Sequence, residues 1–104
     1  YIHVVDLAEA HLAALEYILQ GKIQGNYEVF NVGTGKELTI KELAELVKKT
    51  VHFEGDIIWD AEKPNGTPRK LIDVEKLHSL GWTHKVEIED GVEKLYEWYQ
   101  ESLK

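Results

Sequence analysis

Apolar residues recur at helical spacing in four stretches of the chain, and each such stripe is expected to face a core. The first stretch follows Asp6 and the second follows Thr39. Each begins with a capping box, in which an Asp or Thr is followed three residues later by Glu. A short third stretch follows Asp73, and the last runs from about Ile88 to Glu101. The pattern therefore predicts four helices.

Three further stretches are rich in β-branched and aromatic residues, which is typical of strands. They are Tyr1 to Val5, Tyr27 to Val32 and Asp56 to Trp59. Because these segments alternate with the helical ones, we predict an α/β fold, α+β-like, with about three short strands and four helices. A chain of 104 residues fits a single domain spanning 1–104.

Composition and charge exclude several classes of function. The hydrophobic fraction of 43% and the charged fraction of 30% are ordinary for a soluble globular protein. The absence of cysteine excludes disulfides and thiolate metal sites and is compatible with the cytoplasmic location that we predict. The five histidines lack metal-ligand spacing, and the apolar runs are too short to span a membrane. A net charge of −7 argues against nucleic-acid binding, so an anionic ligand would need a local basic cluster.

Such a cluster occurs in the segment Lys63–Lys70, which we name the cationic loop. It holds two prolines, a glycine and three cations, Lys63, Arg69 and Lys70. An arginine can bind two oxygens of a pyrophosphate at once, and a lysine adds a point charge. The loop is therefore a candidate diphosphate site, although a solvated surface loop would have the same composition.

The Gly33–Lys36 segment has the look of a phosphate loop but lacks the spacing of one. A Walker A motif needs four residues between its glycines and a Ser or Thr after the Lys, and the dinucleotide motif needs three glycines. The segment is better explained as a tight turn in which backbone angles require glycine.

His3 and Asp6 lie three residues apart and could in principle relay protons. No nucleophilic Ser or Cys accompanies them in a recognisable arrangement. The alternative is structural: Asp6 caps the first helix, and His3 is packed or hydrogen-bonded beside it. We name no catalytic residue in this chain.

Three segments resemble the C-terminal, substrate-binding part of the extended short-chain dehydrogenase/reductases. Tyr1–Ala8 resembles the family's YIHVxDLA segment, Phe30–Gly35 contains NVGTG, and Leu80–Trp82 is LGW. The order and spacing of these segments cover nearly the whole chain. The resemblance implies a substrate-domain portion of an extended enzyme without its Rossmann core.

The cationic loop sharpens this resemblance. Lys63–Asp73 is similar to the KPDGTPRKLLD segment of GDP-L-fucose synthases, with Asn65 in place of Asp. The resemblance implies that Lys70 contacts the nucleotide diphosphate of a GDP-sugar, with Arg69, Lys63 and Asn65 as further candidates. The opening residues, Tyr1 to Ile18, are equally similar to UDP-glucose 4-epimerases. A hybrid of the two relatives and a 4-epimerase segment therefore remain alternatives.

The family's catalytic parts have no counterpart here. The glycine-rich cofactor fingerprint and the Tyr-x-x-x-Lys pair are absent, since Tyr96 and Tyr99 are followed four residues on by Gln100 and Leu103. The resemblance implies that the parent enzyme uses NADPH to epimerise and reduce a 4-keto sugar, while this chain binds no cofactor and does not catalyse alone. Its expected partners are a GDP-sugar and an N-terminal Rossmann domain. The remaining alternative is a structural domain that associates with itself, for example as a homodimer.

Overall fold

The computed structural model describes residues 1–25 and 28–104, and this part of the chain contains four helices and no β-strand. The helices are α1 (Val4–Leu19), α2 (Ile40–Val51), α3 (Glu75–His78) and α4 (Ile88–Ser102). The four predicted helices are confirmed. The predicted α/β class with about three short strands is wrong for the described residues.

The first predicted strand, Tyr1 to Val5, is wrong because α1 already begins at Val4. His3 ends the extended segment and caps the helix, since its Nδ1 accepts a hydrogen bond from the backbone N–H of Val5 at 3.2 Å. Valines lower helix propensity only slightly, so a good cap is enough to start the helix on two of them. The prediction that Asp6 caps α1 is also wrong.

The other two predicted strands fail for lack of a partner. Tyr27, where the second was expected to start, lies outside the described residues, and residues 28–32 and 56–59 have no regular secondary structure. A strand is stabilised by hydrogen bonds to a neighbouring strand, and no described segment supplies that ladder. Ile58 illustrates the consequence, because 89% of it remains exposed.

The start of α2 follows the sequence prediction. The side chain of Thr39 accepts a hydrogen bond from the backbone N–H of Glu42 at 3.1 Å, and the backbone N–H of Thr39 donates to Glu42 Oε1 at 3.2 Å. This reciprocal capping box satisfies two donors that a helix start would otherwise leave unpaired. Before α3, the side chain of Asp73 accepts from the backbone N–H of Glu75 at 2.9 Å.

The core is small and lies where α1 meets α3 and the Leu80–Trp82 segment. Its buried apolar members are Ala10, Leu77 and Trp82. Partly buried side chains surround them, namely Ile2, Ala13, Tyr17, Phe30 and Val32. Outside this core, α2 and α4 pack against each other.

Much of the predicted apolar surface stays exposed. The apolar residues Leu12 on α1 and Leu95 and Trp98 on α4 are 63%, 61% and 65% exposed, so the expectation that each apolar stripe faces a core is wrong for these helices. The radius of gyration is 17.4 Å, whereas a compact chain of this length has about 13 Å. The accessible surface is 8576 Å², compared with about 6,000 Å² for a compact monomer of this mass. The fold therefore leaves a large apolar area uncovered.

None of the described helices is long and apolar enough to cross a bilayer.

Candidate functional site

The cationic loop lies on the surface of the molecule. All of its residues are exposed, so its cations are accessible to a ligand in solvent. The described residues offer no hydrogen bond or ion pair to the side chains of Lys63, Asn65 or Lys70. The loop starts from a turn in which the backbone N–H of Lys63 donates to the carbonyl of Asp60 at 3.3 Å.

The segment that follows the loop is held against the Asn31–Gly35 segment. The side-chain amide of Asn31 donates to the carbonyl of Asp73 at 3.1 Å. A Cβ added to Gly33 would lie 3.1 Å from Ile72 Cδ1, and one added to Gly35 would lie 3.1 Å from Val74 Cγ2. The two segments approach closely enough that a larger residue at either glycine would have to displace a side chain of the other segment.

The Gly33–Lys36 segment is a turn, as the structural interpretation predicted. Gly35 has a φ of 75°, in the left-handed region that favours glycine. The backbone N–H of Lys36 donates to the hydroxyl of Thr34 at 3.2 Å, which closes the turn. After this turn, Glu37 lies in contact with Arg69 near the end of the cationic loop.

Arg69 and Glu37 form a two-pronged ion pair across 32 residues of sequence. Nε of Arg69 donates to Oε2 of Glu37 at 2.7 Å, and Nη2 donates to Oε1 at 3.1 Å. These hydrogen bonds, together with the negative charge of Glu37, raise the pKa of Arg69. Of the four predicted site residues, Arg69 is therefore held by a carboxylate, that of Glu37, which the sequence analysis did not identify. No local signal could have identified Glu37, because its partner is remote in sequence.

A second polar cluster lies beside the same turn. Nζ of Lys36 lies 2.8 Å from Oε2 of Glu87, and Nε2 of His84 lies 2.9 Å from Oε1 of that carboxylate. The hydrogen bond from Lys36, and then the one from His84, lower the pKa of Glu87. The His84 side chain is only 10% exposed, and its Nδ1 has no partner among the described residues. Through the contact between Lys36 and Glu87, the turn is connected to the residue that precedes α4.

His3 and Asp6 have separate structural roles rather than forming a pair. His3 caps α1, and Asp6 accepts hydrogen bonds from the backbone N–H groups of Lys85 and Val86 at 3.1 and 2.8 Å. Both carboxylate oxygens of Asp6 are used in this way. Within residues 1–25 and 28–104, no three His, Asp or Glu side chains gather closely enough to hold a metal ion.

An apolar cavity of about 560 Å³ opens between the start of the chain, α2 and α4. Its walls are mainly aliphatic and aromatic, and among them are Ile2, Leu43, Val47, Val92, Leu95 and Tyr99. With Glu87 as its one acidic wall residue and no Lys or Arg in its lining, the cavity does not suit a diphosphate. The cationic loop remains the candidate anion site.

Known proteins resemble this chain along its whole length. No protein-family model matches it. A putative GDP-L-fucose synthase of Arabidopsis thaliana is 50% identical over 103 residues, which cover 99% of this chain and 30% of that protein. One relative thus accounts for both the opening helix and the cationic loop.

Solved structures agree with this relationship. The NADP-bound GDP-mannoheptose C4 reductase of Campylobacter jejuni is 39% identical, with a TM-score of 0.79, over 96% of this chain and 31% of that one. The UDP-glucose 4-epimerase of Thermotoga maritima is 28% identical, with a TM-score of 0.83, over 100% of this chain and 32% of that one. The chain therefore spans about 30% of the length of the relatives it matches. Along its whole length the chain is similar to a segment of GDP-L-fucose synthases, and its solved neighbours are nucleotide-sugar reductases and epimerases, in keeping with the resemblance to the extended short-chain dehydrogenase/reductases.

Proposed function

We propose that this chain is the diphosphate-binding part of a GDP-sugar epimerase/reductase resembling GDP-L-fucose synthase. The observation that carries the proposal is the cationic loop, an exposed cluster of Lys63, Arg69 and Lys70 on a chain with a net charge of −7. Lys70 is the principal candidate to neutralise the diphosphate, and Arg69, Lys63 and Asn65 complete the site. These groups bind the substrate and take no part in proton or hydride transfer.

In this proposal the chain works within a longer enzyme. Support comes from the relatives, of which it spans about 30%, and from the exposed apolar residues of α1 and α4, which no described part of the chain covers. The remainder of the enzyme would pack against these residues, because burying apolar surface is favourable. NADPH would be held by that remainder, a view supported by the NADP bound to the Campylobacter jejuni relative. The cytoplasmic location stays a prediction.

The test is an amide proton–nitrogen NMR titration of the chain with GDP. We expect shift changes concentrated between Lys63 and Asp73. Substituting Lys70→Gln should weaken the affinity about tenfold, which is the worth of one charge-assisted hydrogen bond. Lys94→Gln is the matched control, because Lys94 is an exposed lysine on α4 and does not belong to the loop. A dispersed spectrum that millimolar GDP leaves unchanged would contradict the proposal.

The base preference is tested in the same way with UDP. The Thermotoga maritima relative, whose structure holds UDP-glucose, keeps a UDP-sugar epimerase as the alternative. A clear preference for UDP over GDP would favour that alternative, whereas equal affinities would show that the loop recognises only the diphosphate.

A second candidate function is self-association, which the exposed apolar stripes favour. Apolar patches of this kind promote contact between copies. Sedimentation velocity across a range of concentrations distinguishes the two cases. A homodimer without affinity for GDP would support a structural role, and a monomer at all concentrations would contradict it.

A further inference from the structure

Glu37 contacts Arg69 from one side only. The pair uses Nε and one hydrogen of Nη2, and a guanidinium carries five N–H donors in a rigid fork. Both hydrogens of Nη1 and the second hydrogen of Nη2 therefore stay available, and no described residue accepts a hydrogen bond from them. Those donors form the end of the fork that matches two phosphate oxygens.

The pair is held in place by the backbone on both sides. Glu37 follows the turn closed by Thr34, and Arg69 precedes the segment anchored through Ile72 and Asp73. An exposed ion pair normally contributes little, because two long side chains must be ordered to make it. Here the segments next to the two partners contact each other through Asn31 and Asp73, and the geometry of the pair is bidentate.

We propose that Glu37 is a positioning residue for the diphosphate site: it holds the side edge of the Arg69 guanidinium so that the end of the fork binds a phosphate oxygen pair. The inference rests on the proposed function, since it assumes that the cationic loop receives a nucleoside diphosphate. Pre-ordering the guanidinium lowers the entropy lost on binding. The negative charge of Glu37 acts in the opposite direction, because it repels the phosphate. Whether replacing Glu37 weakens or strengthens GDP binding therefore shows which of the two effects is larger.

The experiment is a double-mutant cycle of GDP affinity on the full chain, using wild type, Glu37→Gln, Arg69→Gln and the double variant. We expect Arg69→Gln to weaken binding about tenfold. Glu37→Gln should weaken it several-fold, and it should have no further effect once Arg69 is replaced. Glu45→Gln, an exposed glutamate of α2 with no partner in the described chain, should leave the affinity unchanged.

A charge-swapped variant, Glu37→Arg with Arg69→Glu, separates positioning from stability. It should restore the ion pair and the melting temperature, yet it should lose GDP affinity because a carboxylate then stands in the loop. In the wild type, the Nε–H signal of Arg69 should be protected from exchange, and Glu37→Gln should remove that protection.

The outcomes distinguish the two proposals. If wild type binds GDP and Glu37→Gln binds equally or more tightly, the positioning role is wrong and the proposed function stands. Recovery of GDP affinity in the charge-swapped variant would also overturn the positioning role. If folded wild type fails to bind GDP, the proposed function is wrong, and the role of Glu37 falls with it.

Discussion

The carboxylate of Asp6 accepts a hydrogen bond from the backbone N–H of Val86, at 2.8 Å and across eighty residues of sequence. Its other oxygen accepts from the backbone N–H of Lys85 at 3.1 Å. Asp6 is only 1% exposed, so this contact is largely removed from water. It joins the first turn of α1 to the segment that leads into α4.

We expect Asp6→Asn to lower the free energy of unfolding by about 1–3 kcal/mol. An amide retains one acceptor oxygen, but its NH₂ group would face a backbone N–H and leave that donor unpaired. Urea denaturation followed by circular dichroism measures the change. Asp56→Asn is the control, since Asp56 is exposed and has no hydrogen-bond partner in the described chain. Equal stability of the two variants would show that the Asp6 contact is not formed in solution.

Gly35→Ala should lower stability by about 1–2 kcal/mol, because an L-residue is strained in the left-handed region. The new Cβ would also lie 3.1 Å from Val74 Cγ2. Gly66→Ala is the matched control, because its Cβ would meet no atom within 4 Å and its φ is not positive. Melting temperatures of the two variants provide the comparison. A Gly35→Ala protein as stable as Gly66→Ala would be inconsistent with the turn described here.

The ion pairs of Glu87 predict a pH dependence. Its pKa is lowered from the usual 4.5, chiefly by the hydrogen bond from Lys36 and next by that from His84. A carboxyl group whose pKa is lower in the folded state adds stability above its unfolded pKa, and this is lost as the pH falls through the folded value. The melting-temperature difference between wild type and Glu87→Gln should therefore be present at pH 7 and disappear below 4.5.

Because the group is exposed, salt should reduce this difference at pH 7. Glu93→Gln, on the exposed surface of α4, controls for the change in net charge. A difference that does not shrink as the pH falls progressively below 4.5 would argue against an electrostatic origin.

Thr39→Ala should cost about 1 kcal/mol, the usual worth of a Ser or Thr N-cap. The substitution removes the hydroxyl that accepts from the backbone N–H of Glu42. Helical circular dichroism and the melting temperature should both fall, whereas Thr83→Ala, at an exposed position outside the helices, should change neither. An unaltered melting temperature would mean that α2 is capped in another way.

The features that the sequence predicted correctly depend on residues close together in the chain. The capping box of Thr39 and Glu42 spans three positions, and the left-handed turn at Gly35 is a property of one residue. The start of α4 at Ile88 follows from the apolar periodicity and the acidic first turn. The charges of the segment Lys63–Lys70 indicated the cationic loop, and the resemblance to extended short-chain dehydrogenase/reductases rests on contiguous motifs.

The predictions of strands and of buried apolar stripes were wrong because both need another segment to pack or pair with. Residues 28–32 have the composition of a strand, but strand formation needs a neighbouring backbone, and no described segment offers one. Leu95 and Trp98 have helical spacing on α4, yet spacing does not supply the surface against which they would be buried. How much of a helix is exposed depends on which other segments pack against it, so the residues of the helix alone do not decide it.

The sequence by itself therefore determined the starts of α2 and α4, the glycine turn and the cationic cluster, because these rest on local backbone preferences and on side-chain chemistry. Only the tertiary structure decided that Asp6 binds the backbone at Lys85 and Val86, and that Glu37 holds Arg69. Each of those contacts depends on where the chain folds back. A carboxylate can accept hydrogen bonds from any donor that comes within reach, so its residue type does not specify its partner.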